Sequence, residues 1–115
     1  MPNQKAAKPA SNSSLIRFRL HKQGDELVLA AADEDALGLR HEGNGRVLDL
    51  VKFASFYGEE TIEAADLAPH LSACTSANLV GEKAVGAALS MGLAEKGAVV
   101  RIGAVPHLQL YRARP

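Results

Sequence analysis

The sequence has no tryptophan and only five other aromatic residues, three Phe and two Tyr, so large rings do not build its interior. Twenty alanines stand in their place, which implies thin side chains and close backbone approach in a single modest core. A lone cysteine, Cys74, excludes an intrachain disulfide and fits a reducing compartment. No apolar run approaches the ~20 residues that a spanning helix needs. The Lys- and Pro-containing start lacks the apolar stretch of a secretory signal. These absences predict a cytoplasmic protein with no membrane partner.

Net charge is also lacking, with 13 basic against 13 acidic residues, so no bulk excess draws the chain to nucleic acid. The charges are segregated, however. Residues 1–22 hold five cations and no acid, residues 25–66 hold eleven acids against three bases, and residues 82–115 are again basic. The ends can fold against the middle, or the split can create a polar face. Metal-ligand spacing is missing as well: His21, His41, His70 and His107 are far apart and none pairs with Cys74. Gly81-Glu82-Lys83 is not a phosphate loop, because Glu separates Gly from Lys and no hydroxyl follows. Neither a metal nor a cofactor is expected. No Gly-x-Ser-x-Gly elbow or other nucleophile arrangement is visible, and the reading leans away from an enzyme.

The length is that of one domain. Residues 1–14 contain nothing apolar beyond Met1, Ala and Pro and read as a disordered tail, leaving 15–115 as the folded unit. From Leu15, Ile16, Phe18 and Leu20 alternate with Arg17, Arg19 and His21, the period of a strand with one apolar and one basic face. Gln23-Gly24-Asp25 is a turn, and Glu26–Ala32 returns as the second strand of a hairpin. Asp33 is placed to cap a short helical turn ending at Gly38. Gly43-Asn44-Gly45 is a second turn before a strand over Val47–Lys52. Ser55-Phe56-Tyr57-Gly58 reads as a loop over the core edge. A helix starting at Thr61 or Glu63 runs to about Cys74, although Pro69 conflicts with that start and a start near Asp66 would remove the conflict.

Val80, Ala84, Ala87 and Met91 share a helical face and predict a helix over Asn78–Met91, capped by Ser76 or Asn78 and stopped by Gly92. Val99–Ile102 and His107–Tyr111 read as strands, with Pro106 in their connection. Strands, helices and strands in this order predict an α+β two-layer domain, a mostly antiparallel sheet with about two main helices on one face.

Packing explains the glycines and alanines of 76–91. It leaves over Asn78, Glu82, Lys83 and His107, with Gln109 beside it, as a candidate ligand or partner surface. A pocket between the helix start and the loop before His107 would take a small ligand. Arg17, Arg19 and His21 on the first strand and His107, Gln109 and Tyr111 on the last would merge into one basic, partly aromatic surface if those strands pair. Such a surface suits RNA. A protein-interaction domain follows instead if the exposed patch is apolar.

Ser55-Phe-Tyr-Gly, Ala77-Asn-Leu-Val-Gly-Glu-Lys-Ala-Val and Arg101-Ile-Gly-Ala-Val-Pro-His, in this order, resemble the archaeal family described as "domain of unknown function 424", from about Leu15 to Tyr111. Gly103-Ala104 departs from the Gly-Gly frequent there. The Pro69 helix is less regular, and the tail is an addition. The resemblance implies an archaeal, cytosolic α+β protein and an association with translation, hence an RNA or ribosome partner. It brings no catalytic residues.

Overall fold

The structure, a computed structural model, describes residues 14–111. The tail expected over 1–14 therefore lies outside the described residues, except for Ser14. Among the described residues, eight strands and two short α-helices follow one another as β1 (Leu15–Gln23), β2 (Glu26–Asp33), β3 (Arg40–Gly43), β4 (Arg46–Asp49), β5 (Glu60–Glu63), α1 (Ala68–Ala73), β6 (Ser76–Val80), α2 (Glu82–Ser90), β7 (Val100–Ile102) and β8 (Val105–Tyr111). Six strands form one sheet in the order β5-β1-β2-β6-β8-β7, and β3-β4 is a separate hairpin. Among the described residues the β2–β6 pair is parallel and every other strand pair is antiparallel. The α+β class and the mostly antiparallel sheet are those read from the sequence.

One sheet face carries the helices. Ile16, Leu29, Ala31, Leu79, Leu108 and Leu110 point to it and meet Leu67, Leu71, Ala84, Val85 and Ala88. The other face is covered too. Ala30, Ala32 and Val80 pack under Leu50 and Tyr57, which belong to an arm formed by β3, β4 and the 3-10 turn Ala54–Tyr57. Strand β2 is thus buried on both sides between two neighbours, and its run Ala30-Ala31-Ala32 leaves the space that both layers fill. The arm adds a partial layer to the two expected.

The helix predicted over Asn78–Met91 is corrected: Ser76–Val80 is a strand and α2 begins only at Glu82. The local spacing of Val80, Ala84, Ala87 and Met91 mimics a helix face, but long-range pairing decides. Thr75 accepts the Leu27 N–H on its hydroxyl at 2.8 Å, donates its own N–H to Leu27 O at 2.8 Å and so starts β6 beside β2. Ser76 and Asn78 therefore cap nothing. The cap comes from Asp33, which does not cap the 3-10 turn that follows it. Its carboxylate accepts the N–H groups of Lys83 and Ala84, each at 2.9 Å. Gly81 sits between strand and helix at φ +103, and a Cβ there would lie 2.3 Å from Asp33 Cγ.

Three boundaries also move. A helix from Thr61 or Glu63 is replaced by β5 and a 3-10 turn over Ala64–Leu67. The α-helix starts at Ala68, with Pro69 in its first turn where a missing N–H costs nothing. Strand β4 stops at Asp49, whose carboxylate takes the N–H groups of Val51 and Lys52 and turns the chain. Pro106 lies within β8, opposite Arg101 of β7, and its carbonyl accepts the Gly81 N–H at 2.9 Å. That bond falls just past the last β6–β8 pair, Val80 with His107, and the Gly81 carbonyl, which faces a proline without an N–H, accepts the Val85 N–H at 3.0 Å instead.

Candidate functional site

Three polar side chains of β1, Arg17, Arg19 and His21, converge on one stretch of the arm. Arg17 Nε donates to Gly58 O at 3.0 Å, Arg19 Nη1 to Ser55 O at 3.2 Å, and His21 Nε2 bonds Phe56 O at 2.8 Å. The His21 ring also stacks on Phe56, with centroids 4.7 Å apart. The end of a helical turn leaves carbonyls short of donors, and here the strand supplies them to Phe56 and Gly58 and adds a second to Ser55, which also accepts the Gly58 N–H at 3.1 Å. Phe56 meets Tyr57 edge to face at 5.1 Å, which steers Tyr57 inward. The Tyr57 hydroxyl then donates to Asn78 Oδ1 at 2.9 Å, and His107 Nε2 bonds the same oxygen at 3.2 Å.

Burial keeps this cluster neutral. Tyr57, 2 % exposed, has its pKa pushed up to about 12 by desolvation. Burial first, and the Arg46 charge second, lower the pKa of His107. At neutral pH the tyrosine, the amide and the imidazole form an uncharged hydrogen-bonded link between the arm and strands β6 and β8. Proton transfer in the neutral range is not what this environment favours, since both ionisations are disfavoured.

The remaining candidates lie elsewhere. Asn78 and His107 share the arm side of the sheet, whereas Glu82 and Lys83 open α2 on the helix side. Glu82 pairs with Arg101 Nη1 at 2.9 Å, both side chains being more than half exposed. The Lys83 N–H belongs to the Asp33 cap, and that carboxylate occupies the place an anion would take at the helix N-terminus. Burial raises the Asp33 pKa, while the two N–H groups and Lys83 pull it back. Gln109 faces the same side as Asn78, its register partner, and Tyr111 is 79 % exposed. The loop before His107 does meet the strand–helix junction, through the Gly81–Pro106 bond. The side chains proposed for one pocket diverge from there.

Strands β1 and β8 do not pair, as β2 and β6 stand between them. The merged basic face of Arg17, Arg19, His21, His107, Gln109 and Tyr111 is therefore corrected: its middle lies under Leu50, Phe56 and Tyr57. Among the described residues no group of three His, Cys, Asp or Glu side chains can hold a metal ion, and no helix is long and apolar enough to cross a membrane.

Two hairpin tips meet at the far end of the arm. Gly103, at φ +64, is so close that a Cβ would lie 2.7 Å from Glu42 O, and a Cβ on Gly43 would lie 2.4 Å from Gly103 N. Asn44 Nδ2 donates to Arg101 O at 2.8 Å across the same junction. Sequence reasoning missed the roles of Asp33, Asn44 and Tyr57. The signal for Tyr57 was present as an aromatic pair before Gly58, and that for Asn44 as a Gly-Asn-Gly turn. Neither names a distant partner.

The fold and its clamped arm define a small α+β domain in which the segments Ser55–Gly58, Ala77–Val85 and Arg101–His107 meet one another. The chain belongs to the family described as "Protein of unknown function (DUF424)", whose sequence profile matches residues 21–113. It is similar to a solved structure, an uncharacterized conserved protein from the archaeon Methanopyrus kandleri, at 28% identity and a TM-score of 0.68, over 88% of this chain and 96% of that one. No curated protein matches the chain.

Proposed function

We propose that this chain is a protein-interaction module whose contact surface is the outer side of the arm. The observation that carries this reading is where exposed apolar residues lie. Of the six large ones among the described residues, Leu39, Val47, Val51 and Phe53 fall in one segment, with Val51 61 % and Phe53 54 % exposed. The backbones of Leu39 and Leu50 are bonded, which draws Leu39 and Val51 towards each other. Charges there are used locally: Arg40 pairs with Glu42, Asp49 holds the Val51 and Lys52 amides, and Lys52 sits 5.4 Å over the Phe53 ring. Apolar groups among self-satisfied charges suit the apolar surface of another folded protein better than a row of phosphates.

An RNA- or ribosome-associated role has less support. The basic groups on which it rested hold the Ser55–Gly58 carbonyls, and the two strand faces that were to merge are apart. Affinity capture from native extract with the wild-type chain and with the doubly substituted Val51→Asp, Phe53→Asp form tests the reading. A partner protein held in fixed stoichiometry by the wild type and lost from the variant is expected. Equal capture by both, or capture abolished by ribonuclease, would overturn it.

A further inference from the structure

We infer that two copies of this chain join through the outer edge of β8, each adding its strand to the other's sheet. Strand β6 lines one side of β8 from His107 to Tyr111, whereas β7 lines the other side only from Val105 to His107. Among the described residues, Leu108–Tyr111 therefore has no strand on its outer side. The Gly81–Pro106 bond fixes which groups face outward there. The Pro106 carbonyl points to β6, so the main-chain groups of Leu108 and Leu110 point to β6 as well. The N–H and C=O groups of Gln109 and Tyr111 point the other way, off the sheet. Outward groups in such a row are the template for another strand.

Charge or cover guards the other edges, and charge on an edge strand opposes pairing. Glu60 and Glu63 stand in β5, Lys22 stands on the part of β1 that β5 leaves uncovered, and in β7 the Arg101 carbonyl is taken by Asn44. Leu108-Gln109-Leu110-Tyr111 carries no charge at all. Its side chains also suit its own copy. An antiparallel twofold pair centred on Leu110 sets Gln109 of one copy opposite Tyr111 of the other, and both such pairs exchange N–H···O bonds in each direction. Leu110 then faces its counterpart across the axis, on the side that carries the helices. On the arm side each Tyr111, 79 % exposed, gains Gln109 as a cross-strand neighbour. This edge is separate from the arm surface proposed above.

An interface of so few residues falls below the ~1,200 Å² of stable complexes, so the pair forms at roughly 0.1 mM chain and above. Sedimentation equilibrium of the full chain up to about 1 mM measures it, with amide exchange read at the two ends of the range. The wild type is expected to dimerise and, as concentration rises, to slow exchange at the Gln109 and Tyr111 amides. Gln109→Lys combined with Tyr111→Lys, both at exposed side chains, sets like charges opposite each other and is expected to weaken association about tenfold or more. Gln109→Glu combined with Tyr111→Lys tests the register. Pairing centred on Leu110 brings opposite charges together and restores association, whereas pairing centred on Gln109 or Tyr111 sets like against like. A wild type that stays monomeric, or a doubly Lys-substituted form that associates as the wild type does, overturns the proposal. So does a Glu and Lys combination that associates no better than the doubly Lys-substituted form. Dimerisation that slows exchange in 39–53 instead of at 109 and 111 overturns it too, and would assign the self-association to the arm.

Discussion

The carboxylate of Asp33 is the group whose removal most sharply tests how this chain is held together. It is 3 % exposed and stands fifty residues before the amides it binds at the start of α2. Asp33→Ala removes an N-cap, worth about 1 kcal/mol, and takes the acceptor from two N–H groups, that of Ala84 buried and that of Lys83 partly so, a further 1–3 kcal/mol or so. The expected loss is roughly 2–4 kcal/mol, which for a domain of about 100 residues lowers Tm by ~10–20 °C. Asp33→Asn keeps one acceptor and discards a buried charge, so it should cost less than Ala. Its burden also changes with pH. The folded pKa of Asp33 lies above its ordinary 3.8, so its ionisation is less favourable in the fold. The wild type therefore gains on the Asn form as pH falls through that folded pKa, and the gain is complete below 3.8. Gly81→Ala supplies the control. It strains a backbone at φ +103, about 1–3 kcal/mol, and drives a methyl into Asp33. In the Asp33→Ala background the collision disappears and only the strain remains, so the double variant must be more stable than the summed losses require. Urea unfolding of the four proteins measures this, with exchange rates of the Lys83 and Ala84 amides as the local readout. Additivity within about 0.5 kcal/mol, or Asp33→Ala costing less than that, would refute the remote-cap argument.

Two further outcomes follow from the arm. Tyr57→Phe keeps the ring in place but removes the hydroxyl bond to Asn78, costing about 1–1.5 kcal/mol in urea unfolding and raising amide exchange in 54–58 above that in β2; an unchanged stability would mean that the bond contributes nothing. His107 carries a pKa lowered from 6.5 by burial and Arg46, so the unfolded chain takes up its proton first. Its contribution is present above 6.5 and is lost as pH falls from there through the folded pKa, a slope that His107→Gln should flatten; imidazole NMR titrating at or above 6.5 would contradict it.

What the sequence made legible was whatever local period determines. The alternation of Leu15–His21 and the Gln23-Gly24-Asp25 turn describe β1 and β2 nearly residue for residue, and Leu108 and Leu110 do face the core. What it hid was every decision made at long range. The apolar spacing from Val80 to Met91 fits a helix, yet Val80 spends its side chain on the arm side because Thr75 has already fastened the chain to Leu27. Asp33 looks like the cap of the turn beside it and caps a helix fifty residues on. The polar face of β1 was likewise correctly grouped, since Arg17, Arg19 and His21 do share one side. Its destination depended on what arrives there. A sheet whose central strand reads Ala30-Ala31-Ala32 has too little bulk to close its own surface, so a covering layer must bring larger groups to it. Leu50 and Tyr57 are that bulk, and the 3-10 turn that delivers the tyrosine into the sheet also brings the carbonyls of Ser55, Phe56 and Gly58 to the sheet's rim. Donors are then required where the rim lies, and Arg17, Arg19 and His21 are those donors. In this chain the scarcity of aromatics and the polar face of β1 are one fact: the central strands β2 and β6 lack rings, a loop supplies them, and Arg17, Arg19 and His21 hold the loop.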